Sequence, residues 1–231
     1  MEHKKGKLTG IGVGPGDPQL LTVKALRAIE ACDMAVFPGE DPKETVAYKI
    51  VEQVYPQLGD KELLAVPMPM TKDPEKLEKS HKEGADRIAG CLEEGKNLVF
   101  LTLGDPTVYS TYLYVHKRLL EMGYQAEIIS GITSFCAVAA RLNIGLVEKA
   151  QQLHVIPASY QIEEALKLEG TKVLMKAGRK MKQVKEILRT QGDEVYMIEN
   201  CGMADEKIYY GADEIPEDAG YYSLIIVKER V

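Results

Sequence analysis

Apolar residues in this chain fall in short runs that alternate with stretches of helical spacing. Lys7 to Val13 is a β-branched and apolar run that ends in glycines and reads as a strand. From Gln19 to Ala31, the positions Leu20, Val23, Leu26, Ala28 and Ile29 keep close to the helical period. Met34 to Phe37 is a short buried-type strand stopped by Pro38-Gly39, and Thr45 to Val54 reads as a second helix. Leu63 to Met70 is apolar but broken by Pro67 and Pro69. Proline has no N–H to give to a central ladder, so this run is expected as an edge strand leading into a loop. Asp73 as N-cap and Pro74 at the first helical position open a long helix. Its apolar face carries Leu77, Ala85, Ile88, Ala89 and Leu92, and Gly95 ends it.

Asn97 to Leu103 is the clearest buried strand, followed by Gly104-Asp105-Pro106 and a helix expected over Val108 to Glu121. Ala126 to Ile129 is the next strand and Ser134 to Arg141 the next helix. Further strands are expected at His154 to Ile156, Lys172 to Met175, Glu194 to Ile198, Lys207 to Tyr210 and Tyr222 to Lys228. Helices at Ile162 to Leu168 and Met181 to Thr190 lie between them. This alternation predicts an α/β fold whose first sheet is mostly parallel. No helix separates Lys207–Tyr210 from Tyr222–Lys228, so those two strands are expected to pair antiparallel and to make the second sheet mixed. Two α/β domains follow, 1–122 and 123–231, dividing near Gly123.

A chain of 231 residues, 45% hydrophobic and 28% charged, is long enough to bury a substantial core. Its net charge of −6 offers no broad attraction to nucleic acid or to an anionic membrane surface, and neither is expected as a partner. Lys176, Arg179, Lys180, Lys182 and Lys185 gather on and before one helix, with no aromatic residue interleaved. That cluster reads either as a solvated helix face or as a contact for the carboxylates of an acidic ligand. The four cysteines form no Cys-x-x-Cys pair, so no protein-bound metal is expected. Met1 to Gly6 is polar and no apolar run has transmembrane length, which leaves the cytoplasm as the expected compartment.

In open parallel sheets, ligands bind beyond the carboxyl ends of the strands. Three glycine-bearing turns occupy such ends: Gly12-Val13-Gly14-Pro15-Gly16-Asp17-Pro18, Gly104-Asp105-Pro106, and Ser130-Gly131-Ile132-Thr133-Ser134. A dinucleotide fingerprint would need glycine three positions after Gly14, where Asp17 stands, and an acidic residue after the next strand, where Phe37 meets Pro38. A Walker A loop is absent. Such turns suit a ligand that needs close backbone approach and little charge neutralisation, as S-adenosylmethionine does. Tight βα turns with no ligand would also carry these glycines.

Taken in order, the motifs resemble those of the tetrapyrrole methylase family. The opening turn with Leu21-Thr22, the stretch Leu103-Gly104-Asp105-Pro106-Thr107-Val108-Tyr109, and Ile129-Ser130-Gly131-Ile132-Thr133-Ser134-Phe135 are similar to its first three signatures. Glu199-Asn200-Cys201-Gly202 and Ser223-Leu224-Ile225-Ile226-Val227 resemble its later elements. Within the family, Pro69 to Asp73, Gly104 to Tyr112 and Glu199 to Met203 are similar to members that methylate C20 of precorrin-2 or its cobalt form in cobalamin biosynthesis. Methylation of another corrin carbon, diphthine synthesis, and a non-catalytic S-adenosylmethionine or tetrapyrrole-binding module are the alternatives.

The resemblance implies an S-adenosylmethionine-dependent methyltransferase and a homodimer, with the active-site cleft between the two domains. It implies that Pro15, Leu103, Gly104, Asp105, Val108, Thr133, Ser134, Met175 and Cys201 line the methyl donor. Cys201 stands where the family usually has glycine. Asp105 is the candidate catalytic base or electrostatic support, and it could equally cap a helix beginning at Pro106. Tyr109 and Tyr112, three apart, are expected to share a helix face. Lys72, Arg141 and Lys176 are candidates for the carboxylates of a tetrapyrrole, and any cobalt would belong to that substrate.

Overall fold

The computed structural model describes residues 4–69, 71, 73–157 and 162–229. The chain forms two compact units, Met1–Thr133 and Ser134–Val231. The sequence places the division near Gly123, but the strand after that glycine hydrogen-bonds into the first sheet, which carries the division on to Thr133.

The first unit runs β1 (Lys7–Gly12), α1 (Val23–Ala31), β2 (Met34–Pro38), α2 (Val46–Glu52), β3 (Glu62–Val66), α3 (Pro74–Glu93), β4 (Leu98–Thr102), α4 (Tyr112–Glu121) and β5 (Gln125–Ile129). Its sheet has the order β3-β2-β4-β1-β5, and every pairing in it is parallel. Alternate residues face opposite sides, so the strands build two cores. Ile11, Ala35, Phe37, Val99 and Leu101 pack with Ile29 and Tyr48 on one side. Leu8, Met34, Val36, Leu98 and Phe100 pack with Ile88, Tyr112 and Val115 on the other. Burial on both faces is why these strands read as continuous apolar runs. The apolar start of the proline-broken run forms the edge strand β3, which ends at Val66, before Pro67 and Pro69.

Two helices start later than their apolar spacing suggests. The stretch from Gln19 divides into a 3-10 turn, Pro18–Leu20, and α1. Asp17 accepts the Gln19 N–H and Thr22 accepts the Ala25 N–H, so each segment has its own cap, with Leu21 extended between them. The helix expected from Val108 begins only at Tyr112. Here Asp105 and Ser110 side chains take the N–H groups of Thr107 and Tyr112, drawing the backbone into a turn that competes with the helix.

The second unit contains α5 (Ser134–Leu142), β6 (Leu153–Pro157), α6 (Ile162–Ala165), β7 (Thr171–Met175), α7 (Met181–Gln191), β8 (Glu194–Glu199), β9 (Lys207–Tyr210) and β10 (Ser223–Lys228). The sheet order is β6-β7-β10-β8-β9, with β6 and β7 parallel and the other pairs antiparallel. It is mixed, as expected, but β9 and β10 do not pair with each other: both flank β8. One face packs on α6 and α7 and the other on α5. No helix among the described residues is long and apolar enough to cross a membrane.

Candidate active site

Strand order sets the first group of candidate residues. β1 lies between β4 and β5, so the three glycine turns leave the sheet side by side at its carboxyl end. Gly104 donates its N–H to Gly14 O at 2.8 Å, and Gly14 N–H returns to Gly104 O at 3.3 Å. Asp105, only 7% exposed, joins the second turn to the third. Its Oδ1 accepts Thr107 N–H at 2.7 Å and the Thr107 hydroxyl, and its Oδ2 accepts Gly131 N–H at 3.0 Å. No helix begins at Pro106, so the carboxylate ties turns together where the sequence allowed a helix cap.

The turns touch backbone to backbone. A Cβ on Gly12 would lie 2.4 Å from Gly104 O and 2.6 Å from Gly131 N, and one on Gly131 would lie 2.2 Å from Gly104 O. No real Cβ sits so near a carbonyl, so only glycine permits this junction. Pro15 is buried beside it, while Leu103 and Val108 are half-buried. Thr133, the last residue of the first unit, has a buried hydroxyl with no hydrogen-bond partner among the described residues. A buried hydroxyl without a partner loses its hydration for nothing in return.

The remaining candidates belong to the second unit. Ser134 opens α5. Met175 ends β7 and Cys201 follows β8, and both pack against the core cluster that includes Val138, Ile198 and Leu224. The turn bearing Cys201 has Asn200 at φ 54° and Gly202 at φ 80°. Glu206 holds it, accepting Gly202 N–H at 2.8 Å and Arg141 Nε–H at 2.7 Å through its two oxygens. Arg141, a candidate for substrate carboxylates, is therefore engaged by Glu206. Lys176 follows Met175 with φ 59°, and Lys72 lies outside the described residues. In the basic cluster, Lys185 donates to Ile215 O at 2.6 Å and Lys182 pairs with Glu217 at 4.0 Å.

Tyr109 and Tyr112 do not share a helix face. Tyr112 is fully buried at the start of α4, whereas Tyr109 lies in the preceding turn, 47% exposed. The Tyr112 hydroxyl accepts Gly10 N–H at 3.1 Å, donates to Glu127 O at 2.9 Å, and lies 3.0 Å from His116 Nδ1. Burial pushes the Tyr112 phenol well above its ordinary range and the His116 imidazole below its own. Tyr112 thus braces β1 against β5 beneath the turns. Among the described residues, no group of three or more His, Cys, Asp or Glu side chains could hold a metal ion.

The Gly12–Gly131 contact and the Glu206 brace were not apparent from motif spacing, because both join segments far apart in the chain. A model of the Tetrapyrrole (Corrin/Porphyrin) Methylases matches residues 7–214. Over 227 residues the chain is 35% identical to the probable cobalt-precorrin-2 C(20)-methyltransferase of Methanocaldococcus jannaschii, covering 96% of each. It is 30% identical over 234 residues to the cobalt-precorrin-2 C(20)-methyltransferase of Salmonella typhimurium, covering 97% of each. Its fold is similar to that of uroporphyrin-III C-methyltransferase from Thermus thermophilus, solved in complex with S-adenyl homocysteine. That likeness has a TM-score of 0.70 at 21% identity, over 97% of this chain and 98% of the other.

Proposed function

The chain belongs to the tetrapyrrole (corrin/porphyrin) methylases, and from that premise we propose that it transfers a methyl group from S-adenosylmethionine to C20 of precorrin-2 or cobalt-precorrin-2, in cobalamin biosynthesis. The names of two relatives similar over nearly their whole length support this acceptor and this carbon. One observation carries the donor site: the glycine junction of three strand-end turns, with the unpartnered Thr133 hydroxyl close by in sequence. The residues present fit such a donor. Glycine backbone allows close approach, and Thr133 offers a buried hydroxyl for a polar ligand atom. No phosphate-binding loop is needed for a ligand without phosphates.

The sulfonium of the donor supplies an electrophilic methyl group, so that a carbon–sulfur bond breaks as a carbon–carbon bond forms and the meso carbon later gives up a proton. The work left to the chain is chiefly alignment of acceptor carbon, methyl and sulfur, in which positioning supplies much of the rate. Pro15, Leu103, Gly104, Val108, Thr133, Ser134, Met175 and Cys201 are assigned to the donor. Asp105 has both oxygens engaged by Thr107 and Gly131. Its place in this reading is to hold the second and third turns in register, and its negative charge also suits a cationic donor. A homodimer in the cytoplasm, with the tetrapyrrole as its small-molecule partner, completes the proposal.

The test is transfer of labelled methyl from S-adenosylmethionine to precorrin-2, with and without cobalt, followed by mass spectrometry and by NMR of the product. One methyl at C20 is expected. Donor binding without transfer to either form would overturn the assignment and favour another acceptor.

A further inference from the structure

Tyr109 adopts a left-handed backbone conformation, φ 50°, and the residue is 47% exposed. Left-handed backbone sets Cβ against the neighbouring carbonyl, so a bulky residue is uncommon there. Its flanks explain why the conformation persists. On the N-terminal side, Val108 N–H reaches Asp105 O at 3.2 Å, and Asp105 itself is tied to Thr107 and Gly131. On the C-terminal side, Ser110 Oγ lies 3.1 Å from Thr102 Oγ1 and accepts Tyr112 N–H at 3.2 Å. Tyr112 is in turn bound to β1 and β5 through its hydroxyl. Tyr109 therefore stands between two pinned segments, the circumstance in which strain survives at ligand sites.

Pinning accounts for the backbone conformation at a bulky residue. Glycine, asparagine or aspartate would take this φ more easily. An aromatic ring held half in solvent also forgoes much of the gain that burying it would bring. The geometry points to Tyr109 as a contact for the acceptor, its ring stacking on the flat conjugated face of a tetrapyrrole beside the donor turns. This inference rests on the functional reading above. A rigid platform suits such a task, because a ring already fixed in place loses little freedom when the acceptor arrives.

The experiment compares the wild-type protein with Tyr109→Phe and Tyr109→Asn. Three quantities are read: acceptor KM in methyl transfer to precorrin-2, donor Kd by calorimetry, and Tm. Phenylalanine keeps the ring and is expected to stay within about threefold of wild type in acceptor KM. Asparagine tolerates the backbone and removes the ring. Its acceptor KM is expected to rise at least about tenfold, the order of effect when a stacked ring is lost. Its donor Kd should be unchanged, and its Tm equal or higher.

An Asn variant with wild-type acceptor KM would overturn the inference while leaving the methyltransferase reading intact. Parallel loss of Tm and donor binding in that variant would also overturn it, marking the ring as an anchor of the loop. If the wild-type protein binds donor but methylates neither form of precorrin-2, the functional reading fails and carries this inference with it.

Discussion

Asp105 Oδ2 accepts the Gly131 N–H at 3.0 Å, joining turns from β4 and β5, two strands that are not neighbours in the sheet. β1 separates them, and the link depends on β1 ending in a residue without a side chain. A methyl group on Gly12 would stand within 2.6 Å of both the Gly104 carbonyl oxygen and the Gly131 nitrogen. One carboxylate and one glycine thus hold three strand ends as a unit.

Removing that carboxylate should leave Gly131 N–H and Thr107 N–H without their partner. Asp105→Ala is expected to lose about 1–3 kcal/mol of stability and to weaken donor binding by at least about tenfold. Asparagine offers one acceptor oxygen where donors now meet two, so Asp105→Asn should restore only part of the loss. Denaturant unfolding and calorimetry would check both, and an alanine variant with wild-type donor Kd would remove Asp105 from the site.

Gly12→Ala tests the junction from the other side. The added methyl meets backbone, which cannot rotate away, so a loss of about 1–3 kcal/mol is expected. The urea midpoint should fall with little change in slope. A midpoint equal to wild type would show that the turns separate easily.

Thr133→Val replaces the unpartnered hydroxyl by a methyl of similar shape. If the hydroxyl serves only a bound ligand, the free protein should be as stable as wild type or more so, since a buried polar group without a partner is unfavourable. Donor affinity should meanwhile fall by about fivefold to tenfold. Loss of stability with unchanged donor affinity would contradict the assignment.

The His81 ring stacks on Tyr114 with centroids 4.4 Å apart and 9° between planes. Burial, and then the positive charge of Arg118, hold its pKa below the ordinary 6.5, with Glu78 opposing weakly. Between the folded and unfolded pKa values the unfolded chain carries more protons, so stability rises with pH across that window. It is complete above about pH 6.5 and is lost as pH falls toward the folded value. His81→Phe keeps an aromatic ring and removes the proton. Melting curves from about pH 8 to about pH 5 should show a shallower decline in the variant, and identical slopes would exclude His81 as a source.

Much of the fold was legible in local pattern. The apolar runs of β1, β2 and β4 marked a parallel sheet covered on both faces, and Asp73-Pro74 marked the start of α3, where Asp73 accepts the N–H groups of Glu75 and Lys76. Readings failed where side chains compete for backbone groups. Val108 to Thr111 has helix-compatible spacing, yet Asp105 and Ser110 bind nearby N–H groups and turn the chain. The pairing of β9 was also misjudged, because adjacency in sequence favoured β10 while β8 lay between them.

Sequence by itself placed the glycines, Asp105 and Thr133 in three turns at strand ends, because the order and spacing of such motifs are local properties of the chain. Only the tertiary structure decided what those residues do to one another. Asp105 reaches Gly131 because parallel pairing brings together the ends of strands widely separated in the chain. Arg141 is taken up by Glu206 because the second unit folds α5 against the turn that bears Cys201. Hydrogen bonds of this kind depend on distances between segments remote in sequence, and periodicity carries no record of them.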